Sequence, residues 1–200
     1  LGKPLQNAAS LIYNGTLLHT QAKTLLPSYD VFDESRYFEP ARERRVVDFL
    51  DKKIGIAICE DLWWETEPAP GTRYPLDPVK DLLDQGAELI IAPSASPFFV
   101  GKPQIRKNII ESIGKASGVP VIYVNMVGGN DSLIFDGNSM ITSREGELIF
   151  ASPQFKEDLS VFDLDRQASP ITIKDDKNEQ LLKALVLGVR DYLAKCGFKR

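Results

Sequence analysis

Two hundred residues, 43% apolar and 26% charged, suffice for one sizeable domain with its own core, and they read as soluble and globular rather than disordered. The formal net charge of −4 leaves no basic surplus to displace counterions, which argues against a nucleic-acid partner. No apolar run approaches the ~20 residues that a membrane-spanning helix needs, so no membrane partner is expected.

Strand and helix patterns alternate along the chain, the rhythm of a layered α/β domain. Leu11–Tyr13 and Thr16–His19 flank Asn14-Gly15, the strongest short hairpin signal present. Lys23–Tyr29 and Asp33–Phe38 read as an irregular loop. Arg45–Leu50 is a predicted strand, and Lys53–Cys59 (KIGIAIC) is a better one. Asp77–Gln85 carries apolar residues at helical spacing and stops at Gly86. Glu88–Ala92 is a buried strand that runs into the polar loop Pro93–Pro97. Pro103–Ser117 reads as a helix with Gly118 as its stop. Val119–Val124 is a further buried strand, followed by a Gly-Gly loop and a hairpin-like pair, Leu133–Phe135 and Ser139–Ser143. Arg144–Glu147 turns the chain into Leu148–Ala151. Asp175–Lys195 is predicted as one amphipathic helix. The sequence opens at Leu1 without a Met and closes on CGFKR directly after that helix, so both ends read as truncated.

Sites in open α/β sheets gather where strands give way to loops. Three polar clusters fall there: Cys59-Glu60-Asp61, Ser94–Ser96, and Asn125 with Gly128–Asp131. The two cysteines, Cys59 and Cys196, form no CxxC pair and no disulfide framework, which fits a reducing cytoplasm. Cys59 ends an apolar strand and precedes two carboxylates and two tryptophans (CEDLWW). A buried structural cysteine is the commoner reading of a free thiol. The sharper one is a nucleophile at a strand-to-loop elbow. Cys196, on the terminal helix, reads as structural.

A catalytic cysteine needs a base. The single histidine, His19, lies on a predicted hairpin strand, where a satisfied structural role suits it better. The alternative is a Cys–Lys–Glu arrangement, in which a carboxylate takes the thiol proton and an ammonium stabilises the anionic intermediate. Lys23 heads a segment dense in Pro, Tyr, Phe and charge, the texture of a substrate-lining loop, although a lone lysine is usually a solvated charge. Glu60 and Asp61 read equally as solvated loop charges, Trp63 and Trp64 as packing, and Gly128–Asp131 as a turn.

KTLLPSYDVFDESRYF (23–38), KIGIAICEDLWW (53–64), SASPFFVGK (94–102) and VNMVGGNDSLIFDGNS (124–139) together resemble the glutaminase domain of the glutamine-dependent NAD synthetases, a branch of the nitrilase superfamily. The match runs from about Leu5 to Ser160 with the four motifs in the family's order. ALVLGVRDYLAKCGFKR resembles the helix leading into the family's ATP-dependent synthetase domain, whose Ser-Gly-Gly-x-Asp-Ser loop does not occur in these 200 residues. The resemblance implies a four-layer αββα sandwich, incomplete at its N-terminus. It also implies an amidase domain over 1–168 and a linker helix over 169–200.

The resemblance also implies roles. Cys59 matches the nucleophile, Lys23 the catalytic lysine, and Glu34 a second acidic residue with a positioning role. Tyr29, Ser96 and Lys102 match positions that contact glutamine, and Glu60 joins them while its backbone N–H helps hold the oxyanion. Lysine at position 102 would grip a carboxylate less bidentately than the arginine relatives can carry. The family's general-base glutamate lies upstream of the lysine, and no residue of this sequence matches it. Met126 stands where glutamine is expected. The implied activity is hydrolysis of glutamine through a Cys thioester, feeding ammonia to ATP-dependent amidation of nicotinic acid adenine dinucleotide. ATP and magnesium would serve the synthetase domain, with no cofactor or metal in this segment. Glutamine, the synthetase domain and further copies in a homo-oligomer are the expected partners. These residues alone are expected not to turn over glutamine, for want of the base. A free-standing nitrilase-type hydrolase of another small amide is the alternative, against which the ending weighs; an inactive fragment is a third reading.

Overall fold

The computed structural model describes residues 3, 5–64, 74–165, 168–173 and 176–198, which form a mixed α/β protein. They divide into two compact units, Leu1–Pro93 and Ser94–Arg200.

The first unit opens on the hairpin β1 (Ala8–Tyr13) and β2 (Thr16–Ala22), longer than the sequence pattern suggests. Asn14 and Gly15 both take positive φ, 48° and 75°, as a tight turn matched to strand twist demands. A four-residue helix, α1 (Glu34–Tyr37), interrupts the segment expected to be loop. Strand β3 (Val47–Phe49) pairs antiparallel with β4 (Lys52–Ile56), which runs parallel to β5 (Leu89–Ser94). A parallel pair needs a crossover, and helix α2 (Pro78–Asp84) supplies it. Asp77 caps α2 by accepting the Lys80 N–H, and proline stands at its first position, where a missing N–H costs nothing. Ile54, Ile56 and Ile58 form a buried cluster, while Val79 and Leu82 of α2 are buried too. Strand β4 stops at Ile56, three residues short of the predicted end, and Cys59–Leu62 forms a 3₁₀ turn instead.

In the second unit, α3 (Lys102–Ser117) ends at Gly118, whose left-handed conformation closes the helix. Strand β6 (Val121–Asn125) follows, then β7 (Val127–Asn130) and β8 (Leu133–Asp136), β9 (Met140–Thr142) and β10 (Leu148–Ala151). Two expectations change here. The Gly-Gly stretch is strand β7, paired with β8, and not a loop. Strand β9 pairs with β6 and β10 and makes no hairpin with β8, because Gly137 and Asn138 turn the chain in succession through positive φ.

Helix α4 (Lys177–Lys195) explains the glycines in β7. It packs on β7 and β8, and a side chain at Gly129 would meet Gly188 and Asp191 at about van der Waals contact. Asp191 accepts the Gly129 N–H at 2.8 Å, and the Lys195 ammonium donates to the Gly129 carbonyl at 2.6 Å. The helix starts at Lys177, capped by Asp176; Asp175, where it was predicted to begin, and Lys199 and Arg200 lie outside the described residues. No helix among the described residues is long and apolar enough to cross a membrane.

A second close approach fixes α3. Gly146, at φ 73°, sits in the turn before β10, and a β-carbon there would lie 2.3 Å from the Lys115 nitrogen. Gly146→Ala combines left-handed strain with a clash against helix backbone. It should lower stability by about 2–4 kcal/mol, read as a reduced denaturation midpoint; an unchanged midpoint would contradict this packing.

Candidate active site

The order of residues around position 59 decides the local geometry. Three buried isoleucines carry the chain out of β4, and the Cys59 side chain packs half-buried against them. Cys59 itself has φ 49°, a left-handed conformation unusual for a residue with a β-carbon. Such strain costs on the order of 1–3 kcal/mol and persists only where surrounding bonds over-determine it.

Asp61 supplies those bonds. Its carboxylate is 1% exposed. One oxygen accepts the backbone N–H groups of Thr24 and Leu25 at 3.0 and 2.8 Å, and the other accepts that of Ile58 at 2.9 Å. Burial pushes the carboxyl up to about 6, against the opposing pull of the Leu25, Ile58 and Thr24 N–H groups and the Lys23 charge. A folded carboxyl that holds its proton more tightly than an unfolded one is a liability when ionised. Its contribution to stability is full below the ordinary value of 3.8 and is lost as pH rises through about 6.

Lys23 follows β2 and is 1% exposed. Its ammonium donates to Glu34 at 2.6 Å, and the other Glu34 oxygen accepts from the Asn7 amide at 3.2 Å. A lysine so deeply buried is held by its partner. Glu34 owes its place to α1, whose first residue it is.

Glu60, also buried, accepts from two phenols through one oxygen: Tyr29 at 2.7 Å and Tyr74 at 2.8 Å. Burial first, then the Glu60 charge, push the Tyr29 phenol far above its ordinary value, and the charge of Cys59 adds to the shift. Tyr74 is raised by the same two leading causes. Both phenols therefore remain donors at any working pH. The reading of Glu60 and Asp61 as solvated loop charges does not hold; both are core groups with partners. Trp63 is buried, whereas Trp64 is exposed.

Ser96 and Lys102 lie in the second unit. The buried Ser96 donates its backbone N–H to the Asn125 side chain at 2.9 Å, and the Asn125 amide donates to the Gly137 carbonyl at 3.0 Å. That side chain pins the loop after β5 to the turn after β8. The Lys102 ammonium lies 4.9 Å from the centre of the Phe99 ring. Met126 is exposed, with its backbone bonded to Ser94 and Gly137. Among the described residues no group of three or more His, Cys, Asp or Glu is placed to hold a metal. His19 has a buried Nε2 without a partner among the described residues. Cys196 is exposed at the end of α4, which is no place for a core cysteine. Tyr74 was missed, since an isolated tyrosine in the segment TRYPLDP gives no periodic signal.

Residues 2–170 match the carbon–nitrogen hydrolase family model. A glutamine-dependent NAD(+) synthetase from Synechocystis sp. is 44% identical over 204 positions, covering 99% of this chain and 37% of that protein. One from Thermotoga maritima is 34% identical over 231 positions, covering 97% and 38%. The structure of the glutamine-dependent NAD+ synthetase from Acinetobacter baumannii in complex with ADP matches with a TM-score of 0.82 at 34% identity, over 96% of this chain and 35% of that one. The carbon–nitrogen hydrolase of Helicobacter pylori G27 shares the fold, with a TM-score of 0.65 at 24% identity over 76% and 54%. The chain spans about a third of the length of the curated relatives it matches.

Proposed function

The chain belongs to the carbon–nitrogen hydrolase family, and on that premise we propose that, as the amidase portion of a longer enzyme, it releases ammonia from the side-chain amide of glutamine through a thioester on Cys59. The Cys59 sulfur attacks the carboxamide carbon, and the oxyanion that forms is stabilised by the Lys23 ammonium and the Glu60 backbone N–H. The carbon–nitrogen bond breaks and ammonia leaves with the proton that the thiol gave up. Water then cleaves the carbon–sulfur bond, yielding glutamate and the free thiol. Glu34, bonded to the Lys23 ammonium, keeps it aimed. Glu60, steadied by Tyr29 and Tyr74, takes the α-ammonium of glutamine; Ser96 and Lys102 are assigned to the substrate by the sequence resemblance. Residues 1–168 would form the amidase portion and 169–200 a linker to the synthetase portion, where the ammonia would amidate nicotinic acid adenine dinucleotide at the expense of ATP. The observation that carries this reading is the ion pair between the buried Lys23 and the half-buried Glu34, tied through Asp61 to the turn that begins at Cys59.

The test is selectivity. Glu60→Gln should raise KM for glutamine about 10–100-fold, the worth of one charge-assisted hydrogen bond, and leave the same amide without its α-amino group unaffected. Ammonia release measured on both amides checks this. A wild-type protein that prefers small neutral amides and ignores glutamine would instead favour a nitrilase-type hydrolase of another substrate.

A further inference from the structure

Two segments 36 residues apart meet on one side chain. Thr24 and Leu25 directly follow Lys23, Ile58 directly precedes Cys59, and all three backbone N–H groups point at the Asp61 carboxylate. Asp61 closes the same turn through its own backbone, donating its N–H to the Ile58 carbonyl at 3.0 Å. Among the described residues, the titratable groups that act on this carboxylate include the Lys23 ammonium, which pulls its proton affinity down, and the Tyr74 phenol, which feels its charge.

We infer that Asp61 is a positioning residue that sets the register between the Lys23 segment and the Cys59 turn, fixing the lysine and the thiol relative to each other. A neutral group of the same shape cannot satisfy both segments at once. An asparagine keeps one acceptor oxygen for Thr24 and Leu25 but turns an N–H₂ toward the Ile58 N–H, so donor faces donor. The bond that holds the strained Cys59 turn is then lost.

The rate part of this inference rests on the proposed glutaminase reading; the geometric part does not. In the complete enzyme, Asp61→Asn should lower the melting midpoint while leaving the protein folded, because a buried N–H loses its acceptor, and KM for glutamine should stay near wild type. Its kcat should fall about 10–100-fold, as a small misplacement of reacting groups does. The acid limb of the wild-type pH–rate profile near pH 6, where Asp61 gains its proton, should be absent from the variant. Alkylation of Cys59 by iodoacetamide, which needs no substrate, should show its pH midpoint moved upward as the Lys23 charge loses its place. Asp61→Glu, which keeps the charge but displaces it by one methylene, should also lose kcat. A kcat within twofold of wild type with an unchanged alkylation profile overturns the inference. So does unfolding of both variants, which would make Asp61 structural only. If the wild type releases no ammonia from glutamine, the functional reading fails and the alkylation profile alone decides the positioning role.

Discussion

Cys59→Ala should abolish ammonia release from glutamine, a loss of at least ~10³-fold, because without the sulfur no thioester can form. The substitution leaves the fold in place. Position 59 has φ 49°, and alanine and cysteine, neither of them β-branched, bear that cost about equally, so alanine adds no strain that cysteine lacks. In the complete enzyme proposed here, synthesis from free ammonia should survive, since ammonia supplied directly bypasses the thioester step. Cys196→Ala is the control: that thiol is exposed beyond α4, and neither activity should change by more than about twofold. Loss of both glutamine-dependent and ammonia-dependent synthesis in Cys59→Ala would assign the residue a folding role instead.

Lys23→Met should be nearly as damaging and for a separable reason. It removes the cation proposed to stabilise the oxyanion, a loss of about 10²–10³-fold in kcat. It also leaves the half-buried Glu34 carboxylate without its cation, though still bonded to the Asn7 amide. The uncompensated carboxylate should lower stability by up to about 3 kcal/mol. Adding Glu34→Gln separates the two effects. The double variant should regain most of the stability, because no charge is left unpaired, but none of the activity. Calorimetry and ammonia release on the four proteins of this cycle read both quantities. Recovery of activity in the double variant would show that the pair is structural.

Local chemistry made much of the fold legible in the sequence. Asn14-Gly15 marked the first hairpin, Gly86 and Gly118 marked two helix ends, and the apolar runs around Ile54, Ile90 and Val121 marked buried strands. What failed was set by tertiary contact. Gly128 and Gly129 look like a loop, yet they pair with β8 as strand β7, with α4 lying over them at about van der Waals distance. Strand β9 has the composition of a hairpin partner for β8, but the turn at Gly137-Asn138 delivers it to β6. Similarly, Lys23, Glu34 and Cys59 were suggested by motif, whereas the bonds joining them were not. The three N–H groups on Asp61 belong to backbone, which carries no sequence signature. Charged residues in a CEDLWW turn look solvated until the surrounding segments are in place. Tyr74 shares that invisibility, as its only mark is a hydroxyl aimed at Glu60.

The central claim, that Cys59 is the nucleophile of a glutamine amidase, is tested most directly by covalent trapping. The full chain is treated with a glutamine analogue whose amide is replaced by an electrophilic diazoketone, digested, and read by peptide mass spectrometry. One adduct should form on Cys59, none on the exposed Cys196, and glutamine should suppress it in proportion to its concentration. Equal labelling of both cysteines, or labelling of Cys59 that glutamine does not slow, would contradict the account.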